Sequence, residues 1–169
     1  MSTEVRERRG SAARVLPVAI GVVALIVSVV IVSFRSGDAP APGTPVYRVS
    51  SMDFRYHGLP RSIPPGLFQV AFSNQEGFPF HHEMVVVALQ PGQTAQTLVE
   101  DAKETADQSE DHYLAFGEIE GTATGATLVG TFDLPPGTYA LGCWFSGEPG
   151  GGEGPVHVAR GMVYQFTVR

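Results

Sequence analysis

The side chains in this chain that could hold a soft metal ion fall in three short runs. Gly77-Phe-Pro-Phe-His81-His82 supplies two adjacent imidazoles, Tyr139-Ala-Leu-Gly-Cys143 supplies the only thiol, and His157-Val-Ala-Arg-Gly-Met162 supplies an imidazole and a thioether. One thiolate, two imidazoles and one thioether make the donor set of a mononuclear electron-transfer copper site. Thiolate and imidazole hold copper in a trigonal plane, and a long, weak thioether bond leaves the ion nearly indifferent to its oxidation state. Single-electron copper chemistry is what the combination serves.

Rival chemistries each lack a residue. A binuclear copper centre needs two bridging thiolates, and the chain has one cysteine. A thiol hydrolase would use His157 as the base for Cys143, yet no oxyanion-hole or orienting motif accompanies the pair. Structural zinc normally avoids methionine. His57 and His112 stand apart from the three runs and read as ordinary core or surface residues.

The elements that must bring these runs together read as β-strands. Turn punctuation recurs at short intervals, and the stretches between are rich in Val, Phe, Thr and Tyr, the pattern of an antiparallel sandwich or barrel. Tyr47 to Arg55 is expected as a first strand. Leu67 to Asn74 follows Pro64-Pro65-Gly66, with Phe68, Val70 and Phe72 on one face at period two. Met84 to Leu89 is apolar on both faces, as a central covered strand is. Thr97 and Glu100 have capping-box spacing and Leu98, Ala102 and Ala106 recur every four residues, so a helix is expected over 97–107. Strands over Thr127–Leu134, Tyr139–Phe145 and Met162–Val168 complete the set. His82 then enters one strand, Cys143 leaves another and Met162 opens the last.

This block, residues 46–169, is long enough to bury a core of its own. It carries fourteen acidic residues against six basic ones, a formal charge of −8. That sign argues against a nucleic-acid partner, which needs a basic footprint to release counterions. It suits a basic protein partner. The run Glu100, Asp101, Glu104, Asp107, Glu110 and Asp111 reads as a solvated helix and loop face.

Ahead of the block, no residue from Val15 to Phe34 is charged. Twenty helical residues span about 30 Å, the thickness of a bilayer's hydrocarbon, so 15–34 is expected as a transmembrane helix. Arg6, Arg8, Arg9 and Arg14 precede it and only Arg35 closely follows, which puts the basic N-terminus 1–14 in the cytoplasm and the C-terminal domain outside it. A cleaved secretory signal is the rival reading, with Ala39-Pro40-Ala41 as its small-residue site and an apolar region unusually long for the role. Residues 35–45 read as a Pro/Gly-rich spacer. An exported domain meets an oxidising compartment, where the lone Cys143 is either buried and inert or coordinated.

With these residues placed, 46–169 resembles the cupredoxin family, whose Greek-key β-sandwich holds type 1 copper at one end. Asn74-Gln-Glu-Gly-Phe-Pro-Phe-His-His82-Glu-Met-Val-Val is similar to the plastocyanin-type segment Asn-x-x-Gly-Phe-Pro-His before a Val-rich strand. Gly137-Thr-Tyr139 ahead of Cys143, and His157 followed by Gly161-Met162, resemble the family's closing motif. The resemblance implies an all-β fold with one short helix, copper as cofactor, and His82, Cys143, His157 and Met162 as ligands. His81 stays an alternative at the first position, because alternation along the strand does not choose between the neighbours. Multicopper oxidases resemble the family too, but flank their cysteine with histidines, where Cys143 has Gly142 and Trp144.

Two departures stand out. Thirteen residues, five of them glycine, separate Cys143 from His157, where the family has only a few. The added closure entropy is only roughly 1.3 kcal/mol, but a long loop is expected to loosen ligand geometry. Glu83 stands where plastocyanin-like chains have an asparagine that ties the ligand loops together, and a carboxylate there would favour the oxidised ion. The expected function is a membrane-tethered electron carrier that passes single electrons between redox protein partners, with no small-molecule substrate and no enzymatic turnover. The alternative is a binding module that carries or stores copper for a receiving protein, or an interaction domain without metal.

Overall fold

The computed structural model describes residues 43–147 and 154–169. The basic N-terminus, the expected span over 15–34 and most of the spacer therefore lie outside the described residues. Among the described residues no helix is long and apolar enough to cross a membrane.

Among the described residues nine strands form two sheets: β1 Val46–Met52, β2 Arg55–His57, β3 Ser62–Ile63, β4 Gly66–Asn74, β5 His81–Ala88, β6 Leu114–Ala123, β7 Thr127–Leu134, β8 Gly137–Gly142 and β9 Val163–Val168. One sheet has the order β2-β1-β4-β7 and the other β3-β9-β8-β5-β6. Their facing sides bury Phe68, Val70 and Phe72 of β4 with Met84 and Val86 of β5, Leu141 of β8 and Phe166 of β9. The period-two phenylalanines of β4 point inward, as the sequence implies. A β-sandwich with one helix is the architecture.

Strand β5 is covered on both sides. Met84 and Val86 face the other sheet, whereas Val85 and Val87 face outward onto Leu98 and Ala102 of a helix, α1, with Ala140 beside them. That explains why the strand is apolar throughout rather than alternating.

Helix α1 spans Ala95–Thr105, two residues earlier than the expected 97–107. Thr94 is the N-cap: its hydroxyl accepts the Thr97 N–H, and Thr97 Oγ1 accepts the Thr94 N–H at 3.0 Å. Thr97 is thus the third helical residue, not the cap, and a threonine does the work usually given to glutamate. Ala106 ends the helix at φ 55°, and a 3-10 turn Ala106–His112 follows.

The first strand is also shorter than Tyr47–Arg55. Asp53 and Phe54 both adopt left-handed backbone, φ 54° and 55°, and reverse the chain into β2. Two successive positive φ values make the tight turn whose twist suits a hairpin, and it carries no glycine to announce it. Strand β6 is absent from the sequence reading, because it is a mostly exposed edge with glycines at 117 and 121 in place of an alternating pattern.

Candidate metal centre

Each donor run ends at one pole of the sandwich because of where a strand begins or stops. Cys143 follows the last residue of β8, its side chain fully buried among the inner-core residues. His82 is the second residue of β5, and the β5–β6 register shifts between His82 and Met84. β6 supplies the extra residue, Glu120 and Gly121 lying opposite the single Glu83. Strand β5 keeps its own alternation, and His82, Glu83 and Met84 are all buried in succession because the strand is covered on both faces. Two covered faces are why side-chain periodicity leaves His81 and His82 undecided. His82 is fully buried, while His81 is exposed on the strand's edge.

His157 opens a 3-10 turn, His157–Arg160, and Gly161 closes it at φ 95°, a left-handed position that favours glycine. Met162 follows, fully buried, its N–H donating to the His157 carbonyl at 3.0 Å. Met162 packs in the same inner core as Cys143. It precedes β9 rather than opening it.

The long loop is closed at its base. Ser146 pairs with Val156 in an antiparallel bridge, the His157 N–H donates to the Phe145 carbonyl at 2.8 Å, and the Val158 N–H donates to the Cys143 carbonyl at 2.8 Å. The chain thus returns to the cysteine as if the intervening residues were short. These bonds tie His157 and Val158 to the backbone of Cys143 and Phe145.

Three donor atoms converge. His82 Nδ1 and His157 Nδ1 lie 3.1 Å apart, and Cys143 Sγ lies 3.7 Å from the first and 3.4 Å from the second. A triangle with those edges has its centre about 2.0 Å from each corner, close to first-row metal bonds of about 2.0–2.1 Å to imidazole and about 2.3 Å to thiolate. An ion there satisfies all three atoms, whereas a proton can bridge only one pair. Two imidazoles and a thiolate around one point are the donor chemistry of copper. The residues fit that ion.

Without the ion, burial controls protonation. It lowers His82 from 6.5 to about 4, helped by His157 and then His81, so the ring is neutral and its lone pair free near pH 7. It pushes the Cys143 thiol up to about 12, a shift that hydrogen bonds from the Glu83 and Phe145 backbones only partly offset.

Glu83 braces this arrangement. Its N–H points at Cys143 Sγ from 3.5 Å, and its carboxylate accepts the Trp144 N–H. Tyr56 Oη donates to the Glu83 carbonyl. The Trp144 indole folds back over Gly142, where a Cβ would lie 2.4 Å from ring atom Cζ3, and its Nε1 donates to Ser109 Oγ at 2.7 Å.

Aromatic rings wall the imidazoles in. Phe80 stacks parallel to His82 with centroids 6.2 Å apart, and Phe54 meets the edges of His82 at 5.6 Å and His157 at 4.9 Å. Arg160 holds its guanidinium 4.5 Å from the centre of the Phe54 ring. Phe54, Phe80 and Arg160 are site residues that sequence reasoning missed. Phe80 alone had a signal, its place beside His81. The other histidines lie elsewhere in role: His112 pairs with Asp101 at 2.8 Å on the surface, and His57 is exposed.

No protein-family model matches the chain, and no curated protein matches it in sequence. Solved structures do match in shape. Dithionite-reduced auracyanin from the photosynthetic bacterium Roseiflexus castenholzii superposes with a TM-score of 0.52 at 23% identity, over 75% of this chain and 97% of that one. Auracyanin B gives 0.52 at 24%, over 78% and 91%. Auracyanin A, a blue copper protein from the green thermophilic photosynthetic bacterium Chloroflexus aurantiacus, gives 0.51 at 14%, over 75% and 100%. These likenesses show the fold: the domain is a cupredoxin-like β-sandwich.

Proposed function

We propose that this domain is a blue copper electron carrier in which His82, Cys143 and His157 would hold the ion and Met162 would serve as a further, weaker donor. The observation that carries the reading is the buried triangle of two imidazole nitrogens and one sulfur with edges of 3.1, 3.4 and 3.7 Å. Bound copper supplies the redox step, alternating between Cu(I) and Cu(II) with no bond made in a substrate. The protein's part is to exclude water and to keep the donors still. Cys143, His82 and His157 are all essentially inaccessible to solvent, and the bonds at the base of the 144–156 loop fix the return of His157. A site held this way changes little between oxidation states, which favours fast transfer.

The partners are then redox proteins, one giving an electron and one accepting it. The charge of −8 on 46–169 favours a basic docking face on them. Residues 15–34 are proposed as an uncleaved anchor that keeps the domain on the outer side of a membrane. That rests on twenty uncharged residues behind four arginines. The competing module, which carries or stores copper or lacks metal, drew its support from the length of the 144–156 loop. The Ser146–Val156 bridge speaks for the electron carrier instead.

Copper loading tests the reading. Metal-free protein titrated with Cu(II) should take one ion per chain and turn intensely blue, and Cys143→Ser should lose the colour. Tight binding of Cu(I) without a blue oxidised form would identify a copper store. Binding of neither ion would identify an interaction domain.

A further inference from the structure

His82 has a second ring nitrogen, and it faces a carboxylate. Nε2 is buried and makes no hydrogen bond among the described residues, and Glu76 Oε1 lies 3.7 Å from it. Glu76 is itself mostly covered, its side chain 10% exposed. The same Oε1 accepts the backbone N–H of Phe54, in the left-handed Asp53-Phe54 turn. Non-glycine residues rarely take that backbone, so a turn with two of them needs an external hold.

Glu76 is held in place from behind. Its N–H donates to Asn74 Oδ1 at 3.0 Å, and the buried Asn74 donates from Nδ2 to the carbonyls of Phe80 and Thr122 at 2.9 Å each. One carboxylate thus sits between the outer edge of a ligand ring and the turn that lays Phe54 against both imidazoles.

We infer that Glu76 is a positioning residue for the metal centre, keeping the His82 proton on Nε2 so that the Nδ1 lone pair faces the ion, and pinning the Phe54 turn over both rings. The inference rests on the copper reading for what it says of bound metal. A ligating imidazole normally gives its other N–H to an outer acceptor, which fixes tautomer and orientation. A carboxylate is a stronger acceptor than a neutral carbonyl. The 3.7 Å separation exceeds a hydrogen bond, and an approach of about 0.8 Å would make one. A second consequence concerns charge: an anion one imidazole away from the ion stabilises Cu(II) more than Cu(I).

Two variants and one spectrum test this. Glu76→Gln keeps an oxygen for the Phe54 N–H and loses the charge, whereas Glu76→Ala loses both. In Glu76→Gln the ratio of Cu(II) to Cu(I) affinity should fall about tenfold, which is a rise in potential of about 59 mV. Nitrogen-15 NMR of the wild-type imidazoles should show His82 protonated on Nε2 and bare on Nδ1, in the metal-free and the Cu(I) protein alike. Glu76→Gln should weaken that preference in the metal-free chain. A purely structural Glu76 would leave both the Gln potential and the tautomer unchanged, and that result overturns the inference. So does a wild-type His82 that carries its proton on Nδ1. Should Glu76→Ala fail to fold, Glu76→Gln and the wild-type spectrum decide alone. A wild type that never turns blue defeats the copper reading, while the metal-free spectrum still decides whether Glu76 sets the tautomer.

Discussion

Glu83 touches Cys143 through its backbone and braces Trp144 through its side chain: the N–H lies 3.5 Å from the sulfur, and the carboxylate accepts the N–H of the next residue along. One residue of β5 therefore ties that strand to the segment leaving β8, through the thiol and through the N–H that follows it. Removing the side chain leaves a buried N–H unpaired, which costs about 1–3 kcal/mol. Glu83→Ala should lose about that much stability in urea denaturation of the metal-free protein, and Glu83→Gln distinctly less. Glu83→Asn should raise the redox potential of the copper form, since a neutral acceptor no longer favours Cu(II).

The same residue shapes stability against pH. Burial raises Glu83 from 4.5 to about 7, against the lowering effect of the Trp144 N–H and with help from Glu110 and Glu118. A raised folded pKa means the folded state holds the proton longer. Its contribution is complete below pH 4.5 and is lost as pH climbs to about 7. His82, lowered from 6.5 to about 4, acts in the opposite sense: its contribution is complete above 6.5 and is lost as pH falls to about 4. Each slope is about 1.4 kcal/mol per pH unit, so the two cancel between about 4.5 and 6.5. In metal-free Glu83→Gln, denaturant midpoints should rise with pH across that window, where the wild type changes far less.

Copper uptake should release protons from the thiol and not from the imidazole. Near pH 7 the Cys143 thiol, pushed up to about 12, is fully protonated, while His82, at about 4, is already neutral. Thiolate is the form that binds, so close to one proton should leave Cys143 per ion bound at pH 7. Calorimetry in two buffers of different ionisation enthalpy counts it.

On the proposed copper reading, Met162 would adjust the ion rather than hold it. It is buried in the same core cluster as Cys143, and its N–H is tied to the His157 carbonyl. Met162→Leu preserves volume, which keeps the fold cost below about 1.5 kcal/mol. The variant should stay blue, because the thiolate and imidazoles remain. Its potential should rise by on the order of 60 mV, a tenfold change in the affinity ratio, as the axial donor that favours Cu(II) is lost.

The long loop should be dispensable. Ser146 and Val156 pair at its base, and both neighbouring ladder-like bonds lie on the donor side of that pair. Replacing residues 148–153 with two glycines should leave the blue absorption and the potential unchanged. A loss of colour would mean that the excised residues, and not the bridge, hold His157.

Much of this centre is legible in the sequence because a soft donor set is rare and strand ends are announced. Cys143 and Met162 flank strands marked by Pro135-Pro136-Gly137 and by an apolar tail, and the phenylalanines of β4 declare their face. What escaped depends on contacts distant in sequence or on backbone that no residue type signals. Burial decides between His81, which is exposed, and His82, which is fully buried, and only the packed sandwich reveals it. The Asp53-Phe54 turn lacks glycine, so nothing marks it as the place where an aromatic ring swings onto His157 some hundred residues away. The helix start at Thr94 was hidden because Thr97 looks like a cap and serves as the cap's partner.

X-ray absorption at the copper edge of the oxidised protein is the most direct measurement of the centre. It should show two nitrogen scatterers and one short sulfur scatterer, at the distances of about 2.0 Å to nitrogen and about 2.3 Å to sulfur that the triangle of His82, His157 and Cys143 accommodates. The sulfur contribution should vanish in Cys143→Ser. A first shell of nitrogen and oxygen alone in the wild type, or a sulfur signal that survives Cys143→Ser, would contradict a copper centre built on these residues.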